Sequence, residues 1–292
     1  MIEQALYKHL QKQGDLLLPF LATYAGKMAI FNQEAPADND PRWGKGPQYG
    51  RIVFSVDLQG DPARTMGGLL VVDILCHKNE QFPEDIEPIV RSLIHGYFFS
   101  SGTFAVAAQW KNSDPFNEAN DEITGCTVSF DLLAFPTITT SAPDLIARFN
   151  EWTAQQFEKL HVINYNELPD TAWKPTGQES AVYWRVVVDN PAGWIPDTFQ
   201  TIWRTATIKC HIFSEDIATS STVARDLLTR LYAVKRLLKA GETPIMVNRR
   251  NTQDNSADPL RTGQVTVEAT YGIIVFYESG DVIQNINKGK PY

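Results

Sequence analysis

The sequence predicts a mixed α+β fold: two tandem copies of one domain, residues 1–140 and 141–292, each an antiparallel sheet with helices packed on one face. Three observations predict it. The chain has 292 residues, about twice a common domain length. Five short patterns recur in the same order at a nearly constant offset, close to half the chain. Within each half, segments with apolar residues every three or four positions alternate with segments of period two.

The repeat is carried by named residues. Ile30, Glu34 and Pro36 return as Ile163, Glu167 and Pro169, and Asp40, Trp43 and Gln48 return as Asp170, Trp173 and Gln178. Val56-Asp57 returns as Val188-Asp189. Ile74, Cys76 and His77 return as Ile208, Cys210 and His211, and Arg91 and Leu93 as Arg225 and Leu227. One such match arises by chance, whereas five in order rarely do. Short loop insertions account for the small drift in the offset.

Each copy opens with a helix. Ile2, Leu6 and Leu10 stand at every fourth position, as do Leu145, Phe149 and Thr153, with Trp152 beside them. Ser141 and Asp144, with Pro143 in the first turn, mark the second start. A loop rich in Pro, Asp and Gly follows at 32–48 and again at 166–180. Two strands come next, 51–58 with 68–77 and 182–189 with 203–213, joined by polar turns that suit antiparallel pairing. A second helix is expected over 84–99, with Ile86, Ile89, Val90, Leu93 and Tyr97 on its apolar face. Its counterpart spans 221–239, with Val223, Leu227, Leu228, Leu231 and Val234. Closing strands are expected at 104–109 and 124–135, then at 243–247 and 262–276.

Composition narrows the function classes. The net charge is −8. Residues 1–140 hold 10 Lys and Arg against 17 Asp and Glu, a balance of −7, and the remainder is at −1. An acidic chain is poorly suited to wrapping nucleic acid, which needs a cationic surface. The most basic stretch, from Arg225 to Lys239, reads as a solvated helix face. No apolar run reaches the ~18 residues that span a membrane. The first residues lack the basic-then-apolar order of a secretory signal. Three scattered cysteines make no disulfide framework, and a reducing cytoplasm is the expected place of synthesis.

Candidate chemistry is sparse. Cys76-His77 and Cys210-His211 invite a metal reading, but neighbours on a strand point to opposite faces and cannot chelate one ion together. Each cysteine then reads as a small core residue beside Ile74 or Ile208. None of the familiar nucleophile, phosphate-loop or zinc motifs is present, and the five histidines are dispersed. Acid pairs such as Glu84-Asp85 sit where helix ends explain them. No catalytic, cofactor or metal site is expected, and the chain is not expected to be an enzyme.

The loops around Trp43 and Trp173 stand apart, because their pattern is kept in both copies. One reading has the two indoles capping each domain's own core, with Glu34 and Glu167 bonding nearby amides. The other makes Glu34, Pro36, Asp40, Trp43 and Gln48, with Glu167, Pro169, Asp170, Trp173 and Gln178, an ordered contact loop at a subunit interface, where aromatic anchors with a polar rim are common.

The N-terminal helix, the segment IFNQEAPADNDPRWG…QYGRIVFSVD, a strand with Arg64, Gly67 or Gly68 and Val71, and the closing TGCTVSFDLLAF strand together resemble phage tail terminator (tail completion) proteins. The likeness covers most of the first copy and, more weakly, the second. It implies a structural virion subunit, made in the bacterial host cytoplasm, that forms a ring on the end of the tail tube. The implied partners are further copies of itself, the tail tube protein and a neck or head-completion protein. DNA would pass through the lumen without specific binding. Usual members of the long-tailed non-contractile group have one domain and form hexamers, so a doubled chain leaves a hexamer or a trimer of tandem domains open. Two other classes fit the same residues: another neck or head-completion connector, and a cellular ligand-binding protein with a duplicated domain.

Overall fold

Apolar residues at Ile2, Ala5, Leu6 and Leu10 form one stripe, and the chain coils there into α1 (Ile2–Lys12) with that stripe buried. In this computed structural model the described residues are all except 1, 60–66, 102–104, 118–121, 141, 167, 199 and 276–292. Arg64, Phe104, Ser141, Glu167 and Phe276, named above, therefore lie outside the described residues.

After α1 come a short α2 (Gly14–Leu17), β1 (Thr23–Tyr24), β2 (Lys27–Met28) and β3 (Ile30–Asn32). A 3-10 turn at Pro41–Trp43 precedes β4 (Arg51–Gln59) and β5 (Gly67–His77). Then follow α3 (Pro83–Ile94), β6 (Phe98–Ser100), β7 (Ala105–Asn117) and β8 (Ile123–Phe135). The second half runs α4 (Leu145–Gln156), β9 (Leu160–Val162), β10 (Ala172–Trp173), β11 (Ser180–Pro191) and β12 (Thr201–Phe213). It closes with α5 (Ile217–Val234), β13 (Arg236–Leu237), β14 (Ile245–Val247), β15 (Thr252–Gln253) and β16 (Val265–Ile274).

The fold is mixed α+β, built around two curled sheets that are each a half-barrel. The first sheet has the order β10-β6-β7-β8-β5-β4-β3 and the second β13-β14-β16-β12-β11-β9, with β15 paired to β16. With β10 set aside, the two orders match strand for strand. Each sheet also ends on a parallel pair, which the sequence did not suggest. Ile30 faces Ile52 across β3 and β4, and Val162 faces Val182 across β9 and β11. Strands this short cannot display a period, so these edges are silent in the sequence.

Two helices end earlier than the expected 84–99 and 221–239. α3 stops at Ile94 and α5 at Val234. In each case a residue with positive φ follows, Gly96 at 78° and Lys235 at 59°, and the chain turns directly into β6 or β13. Tyr97, which extends the helical spacing, lies between the helix and β6, and Phe99 belongs to the strand. α5 also starts earlier than expected, at Ile217, because the Asp216 carboxylate accepts the Thr219 backbone N–H at 2.8 Å and caps it. α4 is capped by Asp144, whose carboxylate accepts from the Ala147 N–H at 3.0 Å. β7 runs to Asn117, well past the expected 104–109, because it pairs with β8 along its length.

The chain gathers into two compact units. One comprises 1–137, 157–183 and 213–219; the other comprises 138–156, 184–212 and 220–292. The first unit's core joins Leu6 and Leu10 of α1, Ile86 and Val90 of α3, and strand residues such as Phe54, Ile74, Cys76, Val128 and Phe130. In the second, Phe149 of α4 lies 4.9 Å from Trp184, ring centre to ring centre, and the Trp184 indole N–H donates to Thr153 Oγ1 at 3.0 Å. Cys210, Ile208 and Ile212 are buried on one face of β12, and His211 on the other.

Candidate interface loops

The first loop, 33–50, is held by its own carboxylates. Asp40 accepts from the Arg42 backbone N–H at 2.9 Å, from Arg42 Nε at 3.0 Å and from the Tyr24 hydroxyl at 3.0 Å. It thereby caps the 3-10 turn, whose first residue is Pro41. The Arg42 side-chain and backbone hydrogen bonds hold the Asp40 carboxyl well below the usual carboxylate range. Asp38 accepts from the Tyr49 hydroxyl at 2.7 Å and from Arg51 Nη1 at 2.8 Å. Burial alone would raise its carboxyl, but these two bonds outweigh burial and bring it below its ordinary value. Gln48 ties the far side down by donating to the Asp38 carbonyl.

Trp43 is 4% exposed, and its indole N–H donates to the Ala37 carbonyl at 3.0 Å. It meets Tyr24 at 4.8 Å and Phe31 at 5.7 Å in edge-to-face contacts, above Ala22 and Ala29. The result is a small second core under the loop. Glu34 is exposed and Pro36 half-buried.

The second loop, 163–179, solves the same problem differently. Trp173 lies on β10, which pairs with β6 so that Trp173 faces Phe98 and Ala172 faces Phe99. It is 6% exposed, against the rings of Phe98 at 5.8 Å and His161 at 5.3 Å. Asp170 accepts from Lys12 Nζ at 3.2 Å and from the Thr171 N–H at 2.8 Å, which keep its carboxyl below its ordinary value. Pro169 and Gln178 are exposed. Glu167 lies outside the described residues.

Both tryptophans are thus buried within the chain, whereas Tyr165 of the second loop is 49% exposed. Sequence reasoning missed Tyr24, Asp38, Arg42, Tyr49 and Arg51, which hold the first loop, and Lys12, which holds Asp170. The clustering of acids and cations around Tyr49 between residues 38 and 51 was the available signal. Asp38 and Asp40 are occupied by donors, so they serve the loop's shape and are not free for acid–base work. Among the described residues, no group of three or more His, Cys, Asp or Glu is placed to hold a metal ion, and no helix is long and apolar enough to cross a membrane.

No family model matches the chain, and no curated protein matches it. One solved structure aligns with 48% of this chain and 96% of its own length, at 14% identity and a TM-score of 0.35. A likeness that low carries no argument about fold or function.

Proposed function

We propose that the chain is a structural virion protein, a ring subunit that closes the end of a phage tail tube and joins the tail to the head or neck. The observation that carries this reading is the repeated strand order, β6-β7-β8-β5-β4-β3 and β13-β14-β16-β12-β11-β9. We take it as two tandem copies of one domain, each a sheet with helices on one face, in agreement with the sequence repeat. A contact between like units through unlike surfaces is heterologous. When such a contact forms between chains, a suitable rotation closes it into a ring. The resemblance to tail terminator proteins supports the same reading.

The role is structural and involves no catalysis. The partners are further copies of the chain, the tail tube protein and a neck or head-completion protein. The buried Trp43 and Trp173 stiffen the contact loops, while Glu34 and Gln178 supply polar surface and Pro169 a rigid apolar one. The acidic balance of −8 suits a lumen through which DNA slides without sticking. The test is genetic. Removing the gene from a phage that carries it leaves fillable heads beside unattached tails, often of abnormal length, when the lysate is imaged. Normally joined particles overturn the proposal.

A further inference from the structure

Glu84, Glu87 and Arg91 fall on one face of α3, because their spacings of three and four match the helical turn. Facing them, β7 carries a bulge between Trp110 and Asn112. The extra residue lets Trp110 and Ser113 meet: the indole N–H donates to Ser113 Oγ at 3.0 Å. Between helix and strand lies a cavity of about 290 Å³, with Cys126 among its lining residues. That is close to the smallest volume of ligand pockets, on the order of 300 Å³, and suits one inserted side chain.

The cavity's lining is net negative, with Glu84 and Glu87 against Arg91. Ser113 Oγ donates to Glu87 Oε1 at 2.6 Å, and Arg91 Nε pairs with the same oxygen at 3.5 Å, so the charge left uncompensated at the cavity is that of Glu84. Arg91 lies 4.9 Å over the Trp110 ring, so this indole already accepts one guanidinium on a face. Glu84 stands exposed on the same helix, and Asp114 lies next along β7. Burial, then Glu87, Glu84, Asp114 and Asp73, push the Cys126 thiol up to about 11, in keeping with a negative interior.

A complementary surface is assembled in the other unit. The left-handed Lys235 ends α5, and Arg236 turns back to face Met246 of β14. The Val247 N–H donates to the Lys235 carbonyl at 2.9 Å. Tyr232, 39% exposed, donates its hydroxyl to the Arg249 carbonyl at 3.2 Å and anchors the 248–251 loop. Lys235, Arg236, Arg249 and Arg250 are thereby gathered at one end of α5, all exposed. Among the described residues none of the four meets a carboxylate.

We propose that the cavity between α3 and β7 receives an arginine or lysine of this basic cluster from a second copy of the chain, in a head-to-tail contact. The proposal rests on the ring reading and names the two surfaces that would join. Charge selects the partner. Residues 1–140 hold −7 of the chain's −8, and four uncommitted cations stand on the other half. Unlike patches on one chain make a heterologous contact, and Arg against Trp is a frequent anchor of such interfaces. Attraction of this kind weakens with salt.

Sedimentation velocity of the full chain tests it, across protein concentration and at low and high salt. Four samples are compared: wild type, Glu84→Lys, Arg249→Glu with Arg250→Glu, and an equimolar mixture of the two variants. Wild type is expected to associate at low salt and dissociate at high salt. Each variant alone should associate at least ~10-fold more weakly (about 1.4 kcal/mol), and the mixture should recover, because each supplies the surface the other lacks. In a fifth sample, Glu84→Gln, which removes the charge with little change of shape, is expected to weaken association less than Glu84→Lys. A wild type that stays a single chain throughout overturns the contact, whereas the ring reading stands or falls on the lysate images. Variants that associate like wild type, or a mixture that does not recover, also overturn it. So does unchanged association together with binding of a short DNA duplex that Arg249→Glu with Arg250→Glu abolishes, which would make nucleic acid the occupant.

Discussion

His161 stands edge-on to Trp173, with ring centres 5.3 Å apart and planes at 69°. The same relation joins Phe31 to Trp43, at 5.7 Å and 70°. The two pairs have identical spacing along the chain, and the two tryptophans are themselves partners in the sequence repeat. His161 and Phe31 are each the middle residue of a short strand, β9 (Leu160–Val162) or β3 (Ile30–Asn32). The backbone just beyond these strands repeats as well, since Gln33 and Asn164 both have φ of 68°. One half places its tryptophan on a 3-10 turn and the other on a strand, yet the ring contact is kept.

Truncating either indole should be costly. Trp43→Ala and Trp173→Ala are each expected to lower stability by ~3–5 kcal/mol through the cavity left behind. Urea unfolding curves check this, with Trp43→Phe expected to lose less than Trp43→Ala.

Acid should weaken the fold through His211. Its Nε2 accepts from Arg185 Nε at 2.9 Å, and its Nδ1–H donates to the Pro259 carbonyl at 2.8 Å, so the buried ring is neutral. Burial, opposed by the Pro259 bond and helped by Arg185, lowers its pKa to about 4. The folded value lies below the unfolded one. Between pH 6.5 and 4 the unfolded chain therefore binds the proton first, and stability falls as pH falls. The expected loss is about 2 kcal/mol by pH 5. Urea midpoints at pH 7 and 5 measure it, and His211→Gln should flatten that part of the profile. Burial also lowers His9 and His95, which adds to the same trend.

Gly50 should resist replacement. Its φ is 76°, and a Cβ there would overlap the Phe20 carbonyl. Its own carbonyl accepts the Ala22 N–H at 2.7 Å, tying the loop to the residue before β1. Gly50→Ala is expected to cost more than ~1 kcal/mol, since strain at positive φ adds to the overlap. Thermal melting compared with wild type checks it.

The cysteines should differ in reactivity. Cys76 and Cys210 are fully buried, and burial pushes the Cys76 thiol up to about 12 and Cys210 well above its ordinary value. Neither should react with a thiol reagent at about pH 8 until the chain unfolds. Cys126 lines the cavity beside α3 and should react first, though slowly. Mass spectrometry of partly labelled protein resolves the order.

Much of the strand layout was legible. The alternation around Val72, Ile74 and Cys76 placed β5 closely, and Ile208, Cys210 and Ile212 placed the core of β12. Helix ends were harder, because Tyr97 prolongs the helical spacing of Val90 and Leu93 while lying beyond the end of α3. Only backbone geometry, at Gly96 and Lys235, sets the stop. The environment of the loops was not legible either. Burial of Trp43 needs Tyr24 and Phe31, and that of Trp173 needs Phe98, which lies far back along the chain on β6. Contacts at that separation leave no local period to read.

The parallel edge of each sheet has a consequence for how these surfaces can vary. Because β3 and β4 run in the same direction, no tight hairpin can link them, and the chain must double back before entering β4. Residues 33–50 are that return path, and residues 163–179 are its counterpart before β11. Neither stretch can be shortened below about a dozen residues while the paired strands stay parallel. Topology sets a minimum length for both, so new surface chemistry is acquired there by exchanging side chains on an obligatory tether, while strand register stays untouched.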